Sequence, residues 1–97
     1  MRIRYTRRAT QHLLSLYQYI AARNPTAADR VSERIEFTVN FLADFPYAGH
    51  VGVRVGTREL RVTDAPYIVV HRIQADDIVL ILGAYHTARR RPGQRFR

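Results

Sequence analysis

The chain has no cysteine, no lysine and no tryptophan, only 8 acidic residues, and no apolar run near the roughly 18 residues of a membrane span. Without cysteine there is no disulfide framework, no thiolate zinc site and no cysteine nucleophile, so stability must come from packing or from a partner. Without lysine there is no Schiff-base amine and no P-loop lysine. All 16 basic residues are arginines, which stay protonated and fork onto phosphate or carboxylate. What is present is 97 residues, 46% hydrophobic and 25% charged, enough for one domain with one modest core. The N-terminal residues 1–8 are basic but no apolar stretch follows, so the chain reads as soluble, unprocessed and cytoplasmic. A formal charge of +8 points to an acidic partner, nucleic acid or protein, whose affinity falls with salt.

Residues 2–6 alternate polar and apolar, with Ile3 and Tyr5 on one face, and predict a short first strand that Thr6 can turn into a helix. Over residues 9–23, Ala9, Leu13, Leu16, Tyr17 and Ile20 recur at helical spacing, with Leu14 widening the stripe. Asn24 is a good N-cap and Pro25 is tolerated at a first helical position, so a second helix starts there, with Ala28, Val31, Ile35, Val39 and Leu42 on one face. Pro46 ends it. So short a break folds the two helices into an antiparallel hairpin. Residues 46–56 are rich in turn formers, and strands follow weakly at 51–55 and more strongly at 57–63, 66–73 and 78–85. The last is apolar on both faces and belongs in the middle of the sheet. The expected fold is α+β in one domain over residues 1–97: an N-terminal strand and an antiparallel helix hairpin on one face of a mostly antiparallel three- to four-stranded sheet. A basic tail with five arginines occupies residues 89–97.

Pairing Ile73 with Ile78 sets His71 opposite Leu80 and Tyr67 opposite Ala84, and leaves His86 beyond Pro66, about six residues or roughly 20 Å along the strand from His71. That separation argues against a metal pair, and no HxxxH or cysteine ligand supports a metal site or a cofactor. Pairing Val62 with Tyr67 sets Leu60 opposite Val69 and Arg58 opposite His71. An arginine beside a histidine can stabilise a phosphate and move a proton; equally, the arginine can bind a carboxylate and the histidine can be a satisfied core residue. Tyr85, His86, Arg89, Arg90 and Arg91 form the densest cluster of aromatic, titratable and cationic groups, suited to stacking on RNA and clamping its phosphates or simply to a solvated basic terminus. Gly49, Gly52 and Gly56 do not lie between a strand and a helix, so no phosphate loop is expected, and no Ser-His-Asp triad signature is present.

The ordered stretches YQYIAARNPTAA (17–28), FPYAG (45–49), GTRELRV (56–62), PYIVV (66–70) and ILGAYHTAR (81–89) resemble the RelE/ParE superfamily of bacterial toxins, and within it the ParE branch. The resemblance runs from about Ile3 to Pro92. It implies a compact α+β toxin made beside a small ParD-like antitoxin whose C-terminal segment wraps around it in a hetero-oligomer. RelE-like members cleave mRNA on the ribosome, and ParE-like members poison DNA gyrase. Arg58 stands at the arginine of the GTREL stretch, and Tyr85 and His86 stand near the usual C-terminal positions. RelE-type cleavage leans on lysines that this chain lacks, so the resemblance favours a gyrase inhibitor that acts by binding, with no catalytic residues of its own and no cofactor or metal.

On that expectation Arg58, His71, Tyr85, His86, Arg89 and Arg90 contact the target or its phosphates. Leu60, Tyr67, Val69, Leu13 and Tyr17 receive the antitoxin, an acidic amphipathic segment that neutralises charge and buries apolar area. The alternatives are a ribosome-dependent mRNA endonuclease working through Arg58, Tyr85 and His86, and a non-toxic basic nucleic-acid-binding module, which would bind DNA or RNA directly with strong salt dependence.

Overall fold

Both helices begin where their capping residues stand. In the computed structural model, which describes residues 1–75 and 77–89, the Thr6 hydroxyl accepts from the Ala9 amide at 2.9 Å and starts α1 (Arg7–Ala21). The Asn24 side chain accepts from the Ala27 amide at 3.0 Å and starts α2 (Pro25–Asp44), with Pro25 in the first turn. Each cap satisfies an amide that the helix itself leaves unpaired. Ala9 on α1 and Ala28, Ile35, Thr38, Val39 and Leu42 on α2 are buried. Leu14 is 57% exposed and lies off the packed stripe that it was expected to widen.

The sheet has five strands in the order β1 (Arg2–Tyr5), β5 (Ile78–His86), β4 (Tyr67–Gln74), β3 (Arg58–Arg61), β2 (His50–Val51). It is mixed, because β1 runs parallel to β5 while the other pairs are antiparallel. The helix hairpin supplies the long crossover that a parallel neighbour needs. β5, apolar on both faces, sits between β1 and β4, as its composition requires. The weak strand expected at 51–55 shrinks to the two residues of β2, after which the chain turns through Gly52 to Gly56.

The β3/β4 register is the expected one, with Arg58 opposite His71 and Leu60 opposite Val69. The β4/β5 register is not. Gln74, rather than Ile73, pairs with Ile78, and a bulge then leaves Leu82 unpaired between Ile81 and Gly83. The bulge changes the alternation of β5. Before it Val79 and Ile81 face the helices, and after it Ala84 does, opposite Val69. As a result His86 lies opposite Tyr67 instead of beyond Pro66, four positions of β4 or roughly 13 Å from His71. The described residues hold no group of three side chains able to bind a metal ion.

The core lies between the sheet and the hairpin: Ile35, Val39 and Leu42 of α2 pack with Val62, Tyr67, Val69, Val79, Ile81 and Ala84. This face of the sheet was expected to stay open for an antitoxin through Leu60, Tyr67 and Val69. It is instead the face that α2 covers. Val69 has no exposed surface, Tyr67 is buried, and only Leu60 is partly accessible. The alternation that makes these residues apolar is what a core-facing strand needs, and the same pattern serves for either reading. Of the expected basic tail, Arg90 and the residues after it lie outside the described residues; Arg89 ends a 3-10 turn, Thr87–Arg89. No helix among the described residues is long and apolar enough to cross a membrane.

Candidate functional site

The Arg58 and His71 pair forms as the register predicts, but it faces inward. His71 has no exposed surface, and its Nε2 donates to the Pro46 carbonyl at 2.9 Å. Arg58 Nη2 donates to the Tyr47 carbonyl at 2.8 Å and to that of Gly49 at 3.3 Å, and its guanidinium lies 5.7 Å from the Tyr47 ring. Together the two side chains hold the loop that follows α2. Burial lowers the His71 pKa, and the Arg58 charge lowers it further against the opposing pull of the Pro46 carbonyl. A neutral imidazole with its proton on Nε2 is therefore the form that fits. His71 Nδ1 and Arg58 Nε are buried without a hydrogen-bond partner among the described residues, the one an acceptor in this tautomer and the other a donor. Gly49 is required in the loop, since its φ is +85° and a Cβ there would stand 2.1 Å from the Glu59 carbonyl oxygen.

Tyr85 and His86 are adjacent on β5 and so point to opposite faces of the sheet. Tyr85 stacks on His12 of α1 at 4.8 Å between ring centroids, and His12 Nε2 contacts the Ala84 carbonyl at 2.7 Å. His86 packs against the edge of Tyr67 at 5.1 Å, and its Nδ1 accepts from the Ala88 amide at 3.0 Å. Arg58, Tyr85 and His86 thus do not gather around one point. Arg58 lies opposite His71, and His86 opposite Tyr67 four positions along β4. The part of His12 has no cue in the sequence, because its partner is 72 residues away.

A second feature is concave. Leu13, Leu16, Tyr17 and Ile20 of α1 and Val31 and Ile35 of α2 line a groove of about 400 Å³ between the helices, with Tyr5 and Glu36 at its rim. Leu13 and Tyr17, expected to receive an antitoxin, meet here. Leu60, Tyr67 and Val69 lie elsewhere. Tyr17 donates to Asp29 Oδ1 at 2.6 Å, and this bond to a carboxylate raises its phenol pKa. Burial, and then the charge of Glu36, raise that of Tyr5. The two apolar stripes signalled this surface, since each carries more apolar positions than one contact layer needs.

Comparison with known proteins places the chain in a family. Residues 3–91 match the family model described as ParE toxin of type II toxin-antitoxin system, parDE. A Sinorhizobium fredii protein, Y4kP, named as a toxin, is 42% identical over 87% of this chain and 88% of its own length. Toxin RelE2 of Caulobacter vibrioides is 33% identical over 88% and 93%. Among solved structures, a chromosomal ParDE system from P. aeruginosa superposes with a TM-score of 0.77 at 22% identity, covering 89% of this chain and 95% of that one. A toxin-antitoxin complex, RelBE2 of Mycobacterium tuberculosis, gives 0.58 at 24% identity and 88% coverage of both chains. These two likenesses show the fold. The family match over nearly the whole chain and the 42% identity show that the chain belongs to the ParE toxins of type II toxin-antitoxin systems, within the RelE/ParE superfamily.

Proposed function

We propose that this toxin arrests growth by binding DNA gyrase in the cytoplasm, without cleaving message itself, and that a ParD-like antitoxin neutralises it in a hetero-oligomer by seating an amphipathic segment in the groove between α1 and α2. The observation that carries the reading is the engagement of the residues a nuclease would need. Arg58 is committed to two loop carbonyls, and His86 Nδ1 accepts from its own chain. A general acid or base must reach the proton it moves, and Arg58 and His86 stand at different points of the sheet and do not converge. The absence of lysine supports the same reading, since a cleaving site would lack those cations.

The groove suits the antitoxin on physical grounds. It is mostly apolar, and a chain of +8 attracts an acidic segment that buries this surface and offsets the charge. A second reading, mRNA cleavage, is favoured by the 33% identity to a protein named RelE2. Expression of this chain alone in bacteria separates the two. Growth arrest, loss of supercoiling by purified gyrase and intact message is the expected result, and cleaved message with active gyrase overturns it.

A further inference from the structure

The loop held by Arg58 and His71 carries two exposed aromatics, Phe45 at 56% and Tyr47 at 67% exposure. Phe37 and Phe41 precede them on α2 at intervals of four residues, so the three phenylalanines form one stripe about 12 Å long. Phe41 and Phe45 stack at 4.7 Å between centroids. At 100° per residue the stripe lies on the side of α2 away from the groove residues Ser32 and Glu36, next to the β3/β4 turn, where Arg34 reaches Asp64 at 3.5 Å. A strip of exposed aromatic side chains of this kind on the outside of a small domain marks an interaction surface. Here the fold also commits a buried histidine and a half-buried arginine to the carbonyls of residues 46, 47 and 49, which keeps its far end in place.

We infer that this aromatic ridge, Phe37, Phe41, Phe45 and Tyr47, is the surface with which the toxin grips its target, and that it docks in an apolar cleft on an acidic protein. The inference rests on the reading of the chain as a toxin that acts by binding. The charge of the chain selects the occupant. A second copy would bring another +8 against the first, which opposes self-pairing. A nucleic-acid strand would need open ring faces and a uniformly cationic border. Instead Phe41 and Phe45 are stacked on each other, and helical spacing puts Arg30 and Arg34 in line with the stripe and Glu33 and Asp44 along its flank. A protein surface can match such a mosaic, and a net acidic one is drawn to +8. The antitoxin, on the other side of α2, leaves the ridge uncovered; neutralisation then acts by altering or blocking target access from the groove side.

The test uses the full chain with F37S and with F37S/F45S, both changes of exposed side chains. For each, thermal midpoint, affinity for the cognate antitoxin, growth arrest and inhibition of purified gyrase are measured. Expected are an unchanged midpoint, antitoxin affinity within twofold, loss of growth arrest, and at least a tenfold rise in the concentration that half-inhibits gyrase. Unchanged arrest in both variants overturns the ridge. So does weakened antitoxin binding with unchanged arrest, which assigns the ridge to the antitoxin, or a dimer in the wild type that the variants dissociate. The wild-type arm reports separately on the reading beneath. If the wild type arrests growth without inhibiting gyrase, the gyrase assignment fails, and loss of arrest in the variants still identifies the ridge as the target-facing surface.

Discussion

The two sides of α2 are built on opposite principles. Toward α1 it borders an open, largely apolar groove, in which Leu13, Leu16, Ile20, Val31 and Ile35 share the lining with Thr10, Ser32 and Glu36, and a tyrosine-carboxylate bond crosses the hairpin. Toward β3 it runs into a loop fastened by the buried His71 and the half-buried Arg58, which satisfy three backbone carbonyls. The first side can accept a partner of many shapes, because apolar contact is not directional. The second holds one loop conformation, because hydrogen bonds are directional and losing the His71 bond leaves the part-buried Pro46 carbonyl without its donor. An adaptable side suits a segment that folds on binding, and a rigid side suits a preorganised contact.

The sharpest way to break this comparison is to put a charge into the groove. Leu16→Glu sets a carboxylate among Leu13, Ile20 and Val31, close to Glu36. Antitoxin affinity should fall at least about 100-fold, near 3 kcal/mol, since an apolar side chain of the partner would face an unpaired charge. Growth arrest by the toxin alone should persist, and co-expressed antitoxin should no longer rescue the cells. Titration of antitoxin against the purified variant checks the affinity. Rescue equal to wild type would mean that the groove is not the antitoxin site.

Removing the clamp should cost stability where the groove variant costs binding. His71→Ala leaves the Pro46 carbonyl without its donor and opens a cavity beside Arg58, a loss of about 2 to 4 kcal/mol read by denaturant unfolding. The same histidine should make the wild type sensitive to acid. Its pKa in the folded state lies below the ordinary 6.5, so its contribution is fully present above pH 6.5, declines as pH falls from there toward the lowered value, and is flat below it. His71→Gln, which keeps a donor for Pro46, should remove this dependence. A slope in the variant equal to that of wild type would assign the acid sensitivity to another group.

What the sequence showed and what it hid follow the same division. Both helices, their caps at Thr6 and Asn24, the central place of β5 and the pairing of Arg58 with His71 were legible, because each depends on local chemistry or on a regular period. The bulge at Leu82 was not, and it moved His86 from beyond the end of β4 to a place opposite Tyr67. A bulge adds one residue to one strand and leaves no mark in an apolar run such as residues 78–82. The parallel pairing of β1 was hidden for a related reason, since alternation gives a strand its faces but not its neighbour. Tyr67 and Val69 read as an open docking face because apolar alternation is the same whether a face awaits a partner or already has α2 on it. The inward turn of Arg58 and His71 depends on carbonyls 9 to 25 residues away, which no spacing rule reaches.

A milder change tests whether the hairpin geometry, and with it the groove, depends on the break between the helices. Asn24→Ala removes the side-chain acceptor of the Ala27 amide and should cost about 1 kcal/mol. Because the groove lies between the two helices, antitoxin affinity should weaken together with stability, while gyrase inhibition at a temperature well below the midpoint stays near wild type. Equal losses in both activities would indicate that α2 moves as a whole.

The smallest effect is expected at the Arg34–Asp64 ion pair beside the ridge. Arg34 and Asp64 stand 3.5 Å apart with side chains 43% and 68% exposed, and they join α2 to the β3/β4 turn. Exposed pairs of this length are screened by salt and contribute about 0.5 kcal/mol or less. Arg34→Ala should therefore leave the midpoint of unfolding almost unchanged, and added salt should affect wild type and variant alike. Its value is as a control on charge. Arg34 lies beside the stripe of Phe37 and Phe41, so a small loss of target inhibition at low salt that vanishes at high salt would show attraction of an acidic partner, whereas the same loss at every salt concentration would show that Arg34 makes a direct packed contact.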